Sequence, residues 1–182
     1  HYRLLDRTYD RRLGADTAGA VQPDELTICS ENVGFASEYA PTPTRVFQRV
    51  VASLPIDFRR FVFVDLGSGK GRTLLLAANL PFLRIEGVEF AAELHDAALR
   101  NIAALADRGG RTDHIIAHHG DAAKYRIPQE PCVVYLYNPF GAPVLDRVID
   151  NLEASYRDNP RPIYVVYLNP KLPHLFERRL SF

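Results

Sequence analysis

The sequence predicts an α/β domain: a doubly wound, mostly parallel sheet covered by helices on both faces, preceded by a short N-terminal helical cap. Three observations carry this. From residue 61 onward, short β-branched and aromatic runs alternate with longer segments of helical period, the pattern of strand–helix–strand units joined into a parallel sheet. The strand runs are apolar almost throughout, as strands buried on both faces are. The composition, 47% apolar and 24% charged over 182 residues, fits one globular domain with a core of its own.

The elements follow in order. Residues 9–26 are polar and turn-rich. Residues 42–54 read as a helix, with Thr42 as N-cap and Pro43 as the first helical residue; Phe47, Val50, Val51 and Leu54 face inward. Residues 1–57 are expected to pack as a cap on the main domain, 58–182. The run 61–66 is a strand, a glycine loop follows, and 72–80 is a helix. A strand at 85–90 leads into a helix at 91–107 with a stripe of Leu94, Ala98, Ile102 and Leu105, closed by Gly109-Gly110. Strands follow at 114–119 and 132–138. A helix at 143–158 presents Leu145, Val148, Ile149, Leu152 and Tyr156 on one face, and a last strand covers 162–169. Two strands end in Asn-Pro, which reads as two independent turns and not as a duplication.

Composition narrows the function. Lys plus Arg equals Asp plus Glu, at 22 each, which disfavours a strongly electrostatic nucleic-acid binder. No apolar run reaches the ~18 residues of a membrane span, and no N-terminal stretch reads as a signal peptide. Cys29 and Cys132 are far apart and in no metal-like spacing, so a reducing, cytoplasmic setting is expected, with Cys132 a buried small hydrophobe. No metal is expected. A chain that starts at His1 and contains no Met reads as a fragment.

The glycine loop, VDLGSGKGRT (64–73), decides the chemistry. A P-loop requires G-x-x-x-x-G-K-[ST]; Val64 stands where its first glycine belongs and Gly71 where its hydroxyl belongs. A dinucleotide fingerprint requires G-x-G-x-x-G; Gly67, Gly69 and Gly71 fit only in part, because position 72 is Arg72. What remains is an acid at a strand end followed by G-x-G-x-G: Asp65, Gly67, Ser68, Gly69, Gly71. Downstream, Glu89 ends the second strand, 22 residues after Gly67, where an acid accepts hydrogen bonds from ribose hydroxyls. Asp121-Ala122 follows the third strand. Asn138-Pro139-Phe140 follows the fourth, beside the first strand, at the switch point where open α/β sheets bind ligands.

In this order the motifs resemble those of the class I, Rossmann-like methyltransferases that use S-adenosylmethionine (SAM), over roughly residues 40–170, and in particular small bacterial members with a DLGSGKGR loop. The resemblance implies that Asp65 faces the ammonium of SAM, Gly67, Ser68, Gly69 and Gly71 its amino-acid end, Glu89 the ribose, and Asp121, Ala122 and Phe90 the adenine. Asn138, Pro139 and Phe140 resemble the motif (N/D/S)-P-P-(Y/F) of amine-modifying members, with one proline in place of two. They imply an acceptor oriented by Asn138 and walled by Phe140. The stretch EYAPTP (38–43) resembles the segment before the loop in some members, including non-SET lysine methyltransferases, and adds Tyr39 and Thr42 to the cofactor set. The usual fold has seven strands, the last two a C-terminal hairpin; only five are legible here, so the hairpin is expected to be truncated or missing.

The expected function is therefore methyl transfer from SAM to an unidentified acceptor, a protein lysine or small-molecule amine before others, with nucleic acid disfavoured. The alternatives are an NAD-dependent oxidoreductase and a SAM-binding protein without activity. Lys70 and Arg72 are expected to open the helix at 72–80 near solvent, His118 and His119 to be strand-end residues, and residues 58–60 to form a solvated turn.

Overall fold

The computed structural model describes residues 2–27, 32–35 and 37–179; Cys29 lies outside them. The five apolar runs are five strands: β1 (Val62–Leu66), β2 (Arg84–Glu89), β3 (Ile115–His119), β4 (Cys132–Leu136) and β5 (Ile163–Tyr167). They form one sheet in the order β3-β2-β1-β4-β5, and every neighbouring pair is parallel. Three crossovers are α-helices, α3 (Arg72–Ala77), α4 (Ala92–Asp107) and α5 (Ala142–Asp158), with α6 (Pro173–Arg179) after β5. The β3-to-β4 connection alone runs through a short 3-10 turn, Ala122–Lys124.

Side chains alternate across each strand, so the sheet has two cores. Val62, Val64, Leu66, Val134 and Leu136 pack against Val144, Leu145, Val148, Ile149 and Leu152 of α5. On the other face Phe63, Ile85, Val133 and Tyr135 meet Leu74 and Leu76 of α3 and the cap helix α2 (Thr44–Ala52). Phe47 of α2 meets Phe63 edge-on, with ring centroids 5.7 Å apart, so α2 is part of the core. The chain reverses direction of progress between β1 and β4, which opens a crevice at their carboxyl ends.

Several local expectations change. Helix α3 ends at Ala77, before Ala78 and Asn79: the Asn79 amide donates to the Leu75 and Leu76 carbonyls at 3.0 and 3.3 Å, and Pro81 disfavours a helical residue before it. Thr42 is not the N-cap of α2. Pro43 holds that position, and the Thr42 hydroxyl turns into the core to meet the Tyr135 hydroxyl at 3.1 Å. The polar N-terminal stretch begins with a helix, α1 (Tyr2–Leu13), stopped by Gly14 at φ 66°. Tyr156 is only half-buried in α5.

The Gly109-Gly110 stop behaves as expected. Gly109 has φ 77°, its N–H bonds the Ala106 carbonyl at 2.8 Å, and the Gly110 N–H reaches the Leu105 carbonyl at 3.0 Å. This is the Schellman arrangement, which needs a left-handed residue. Gly109→Ala is expected to cost about 1 kcal/mol, seen as a melting temperature about 2–4 °C lower by calorimetry.

Candidate active site

The site lies at the carboxyl ends of β1, β2 and β4, under residues 37–42. Gly67, Gly69 and Gly71 all have positive φ, so the loop folds tightly over the end of β1. Gly71 caps α3. At Gly69 the absence of a side chain is required twice: φ is 54°, and a Cβ there would sit 2.2 Å from the Tyr39 ring.

Two carboxylates flank the loop. Asp65 is 3% exposed, and its carboxylate accepts from the Thr73 hydroxyl. Burial, with the nearby Glu89 charge adding to it, pushes the Asp65 pKa up to about 8 against a hydrogen bond that opposes the shift. Glu89 is equally buried. It accepts from the Gly69 N–H at 2.8 Å and the Ala91 N–H at 2.9 Å, so one side chain ties the glycine loop to the start of α4. Burial raises its pKa and the backbone donors oppose that. Each carboxylate oxygen retains acceptor capacity beyond one hydrogen bond.

A main cavity is lined by Asp65, Gly67, Ser68, Thr73, Glu89 and Phe90 from the sheet side, by Tyr137, Pro139 and Phe140 after β4, and by 37–42 from above. A second, smaller cavity adjoins it. Asp121, Ala122, Gly120 and Val88 line it, together with Gly67, Phe90 and Phe140, which face both. The two share these walls, with Asp65 in one and Asp121 in the other.

The predicted residues thus converge, with qualifications. Tyr39 and Thr42 line the main cavity. Gly69 and Gly71 shape the loop without lining either cavity. Asn138 also lines neither: it sits at φ 48°, buried, and its side-chain oxygen accepts from the Tyr167 hydroxyl at 3.1 Å. Pro139 and Phe140 are the residues this turn presents to the cavity.

Two basic residues depart from expectation. Arg72 does not sit near solvent; it is 2% exposed, ion-paired with Asp10 at 3.3 Å and placed over the Tyr9 ring at 5.2 Å. Lys70 bonds the Asp16 carboxylate at 3.2 Å and is 14% exposed. His118, one residue before the end of β3, pairs with buried Glu86 at 2.8 Å, and His119 at that end meets the Phe90 carbonyl at 3.2 Å.

The lining residues that sequence reasoning missed include Asn32, Phe35, Ser37 and Glu38. Asn32 is buried, and its amide donates to Asp121 at 2.6 Å inside the second cavity. Phe35, Ser37 and Glu38 also line the cavities; the Ser37 N–H bonds the Pro139 carbonyl at 3.2 Å and the Phe35 carbonyl accepts from Gly141 at 2.9 Å. No local pattern marks this stretch, because only its placement over the sheet edge gives it a role. Among the described residues no group of His, Cys, Asp and Glu has the geometry to hold a metal ion, and no helix is long and apolar enough to cross a membrane.

Compared with solved structures, the chain is similar to an RNA methyltransferase from Salinibacter ruber in complex with S-adenosyl-L-homocysteine (SAH). The two share 26% identity over 70% of this chain and 76% of that one, with a TM-score of 0.51. It is also similar to a predicted N6-adenine-specific DNA methylase from Listeria monocytogenes, at 15% identity over 75% of this chain and 46% of that one, with a TM-score of 0.57; this likeness shows the fold. No protein-family model matches the chain, and no curated protein sequence does.

Proposed function

We propose that this chain, which has the fold of the class I, Rossmann-like SAM-dependent methyltransferases, binds SAM along its two joined cavities and transfers the methyl group to an amine. The observation that carries the reading is the pair of buried carboxylates, Asp65 and Glu89, on either side of a tight glycine loop, with Asp121 further along the same crevice. The chemistry of this set fits SAM from end to end. Asp65 suits an ammonium, Glu89 two vicinal hydroxyls, and Asp121 with Asn32 the polar edge of adenine, with Phe90 and Ala122 beside the ring. The SAH in the Salinibacter ruber enzyme supports the same cofactor here.

Bound SAM supplies an activated methyl group, which passes to the lone pair of a neutral amine as the carbon–sulfur bond breaks with its electrons left on sulfur. The chain's task is then to orient the amine, exclude water and let a proton leave, and orientation supplies much of the rate. Pro139 and Phe140 wall the cavity, and Asn138 shapes the turn that presents them. An apolar wall favours the neutral amine over the ammonium. The charge of the lining supports a basic acceptor. Its ionisable residues are Glu38, Asp65, Glu89 and Arg72 with the phenols of Tyr39 and Tyr137, and Arg72 is engaged by Asp10. Glu38 lies exposed at the rim, where a carboxylate attracts a cationic amine and opens a route for its proton to solvent. Protein lysine and small amines both satisfy this chemistry.

The test is calorimetric titration with SAM, SAH, NADH and ATP, followed by assay with labelled SAM against amine acceptors. Micromolar binding of SAM and SAH alone, with label transferred to amines, is the expected result. Binding of NADH identifies an oxidoreductase, and tight SAM binding with no turnover identifies a non-catalytic binder. Once an acceptor is in hand, Asn138→Ala is expected to lower kcat about tenfold through misplacement of Pro139 and Phe140, with a smaller rise in the Kd for SAH because both residues also line the cofactor cavities; normal turnover would remove Asn138 from the acceptor site.

A further inference from the structure

We propose that Asp10, in the last turn of α1, is a positioning residue of the cofactor site, acting on the glycine loop through Thr17 and Tyr39. The proposal rests on the SAM-binding reading above and goes beyond it, because it brings the N-terminal segment into the site.

The contacts form one continuous chain. Asp10 is 8% exposed and its carboxylate is fully used. One oxygen accepts from the Thr17 and Ala18 N–H groups at 2.9 and 2.6 Å. The other accepts from the Thr17 hydroxyl at 2.6 Å and from Arg72 at 3.3 Å. Thr17 is wholly buried, and its carbonyl accepts from the Tyr39 hydroxyl at 2.8 Å. The Tyr39 ring lies directly on Gly69, whose N–H donates to Glu89. Backbone bonds between Val21 and Tyr39, at 2.9 and 3.1 Å, hold the same segment from its other side.

A surface helix has no need of a buried carboxylate with four donors, and burying a charge is costly unless it is paired and bonded. Here the partners are spread over three parts of the site: the 17–18 backbone, the head of α3 through Arg72, and α2 through the bond from Arg72 to the Thr44 hydroxyl at 3.3 Å. One side chain therefore sets where Tyr39 closes on the loop and where the loop presents Gly69 to Glu89.

The experiment titrates SAH into the whole chain and into Asp10→Asn, Tyr39→Phe, the double variant and Gly109→Ala, at a temperature where circular dichroism shows each one folded. Asn removes the charge facing Arg72 and puts an N–H₂ among donors. Asp10→Asn is expected to raise the Kd at least about tenfold and Tyr39→Phe about threefold. The double variant is expected to bind no more weakly than Asp10→Asn alone, since residues in one network are not additive. Gly109→Ala, destabilised but remote, is expected to keep the wild-type Kd. An Asp10→Asn Kd within twofold of wild type, or additive losses, overturns the proposal while leaving SAM binding intact. A wild-type chain that does not bind SAH overturns both. If Asp10→Asn does not fold, Tyr39→Phe decides alone, and an unchanged Kd sinks the idea.

Discussion

Glu89→Ala is expected to raise the Kd for SAH about a hundredfold or more. Two charge-assisted hydrogen bonds from ribose hydroxyls, each worth about 1.5–3 kcal/mol, would be lost together. The variant also frees the Gly69 and Ala91 N–H groups, which Glu89 now holds at 2.8 and 2.9 Å, so the loop loses its tie to α4. Glu89→Gln separates the two effects. It keeps one acceptor oxygen while removing the charge, and it is expected to fall between wild type and Ala. Titration calorimetry well below the melting temperature of each variant reads the difference. A Glu89→Ala protein that binds SAH as wild type does would leave the ribose without its partner and the cofactor reading without support.

Binding of SAH is expected to depend on pH through Asp65. With a pKa of about 8 in the ligand-free protein, Asp65 is mostly protonated at neutral pH. An ammonium placed beside it favours the carboxylate and lowers that pKa, so binding at neutral pH releases close to one proton. The affinity then falls about tenfold for each pH unit below 8 until the pKa of the complex is reached. It falls again at higher pH as the ligand's own ammonium deprotonates. Stability of the ligand-free chain runs the other way. The folded pKa is raised above the unfolded value, so the folded state binds a proton that the unfolded state has released. The Asp65 contribution is complete below about pH 4, the unfolded carboxyl value, and is lost as pH rises through 8. Asp65→Asn is expected to abolish both dependences, with weak binding at every pH. Calorimetry in buffers of different ionisation enthalpy counts the proton directly. A wild-type profile that is flat between pH 6 and 8 would remove Asp65 from the ammonium site.

The elements legible in the sequence are those whose signals are local. All five strands are apolar runs bounded by turn residues, and their ends fall within two residues of expectation. The α5 stripe is read correctly from Leu145 to Leu152 because a 3.6-residue period against one sheet face is written in the spacing alone. Helices α1 and α6 are not read. Residues 9–26 are polar on average, yet Tyr9 is packed against the second core and Asp10 is buried; both depend on partners far away in the chain. The same limit explains Arg72. A basic residue after a glycine loop looks solvated until Asp10, 62 residues earlier, is known to meet it.

Strand period, turn chemistry and glycine spacing act within a few residues, so the fold class, the strand ends and the acids that stand there are legible along the chain. What covers those acids is a matter of packing. The placement of residues 37–42 over one cavity and of Asn32 and Phe35 over the other, the turning of Asn138 toward Tyr167 and the burial of Arg72 arise from contacts between residues distant in sequence. Such contacts are set by how packed elements meet, and no short-range pattern of residues encodes them.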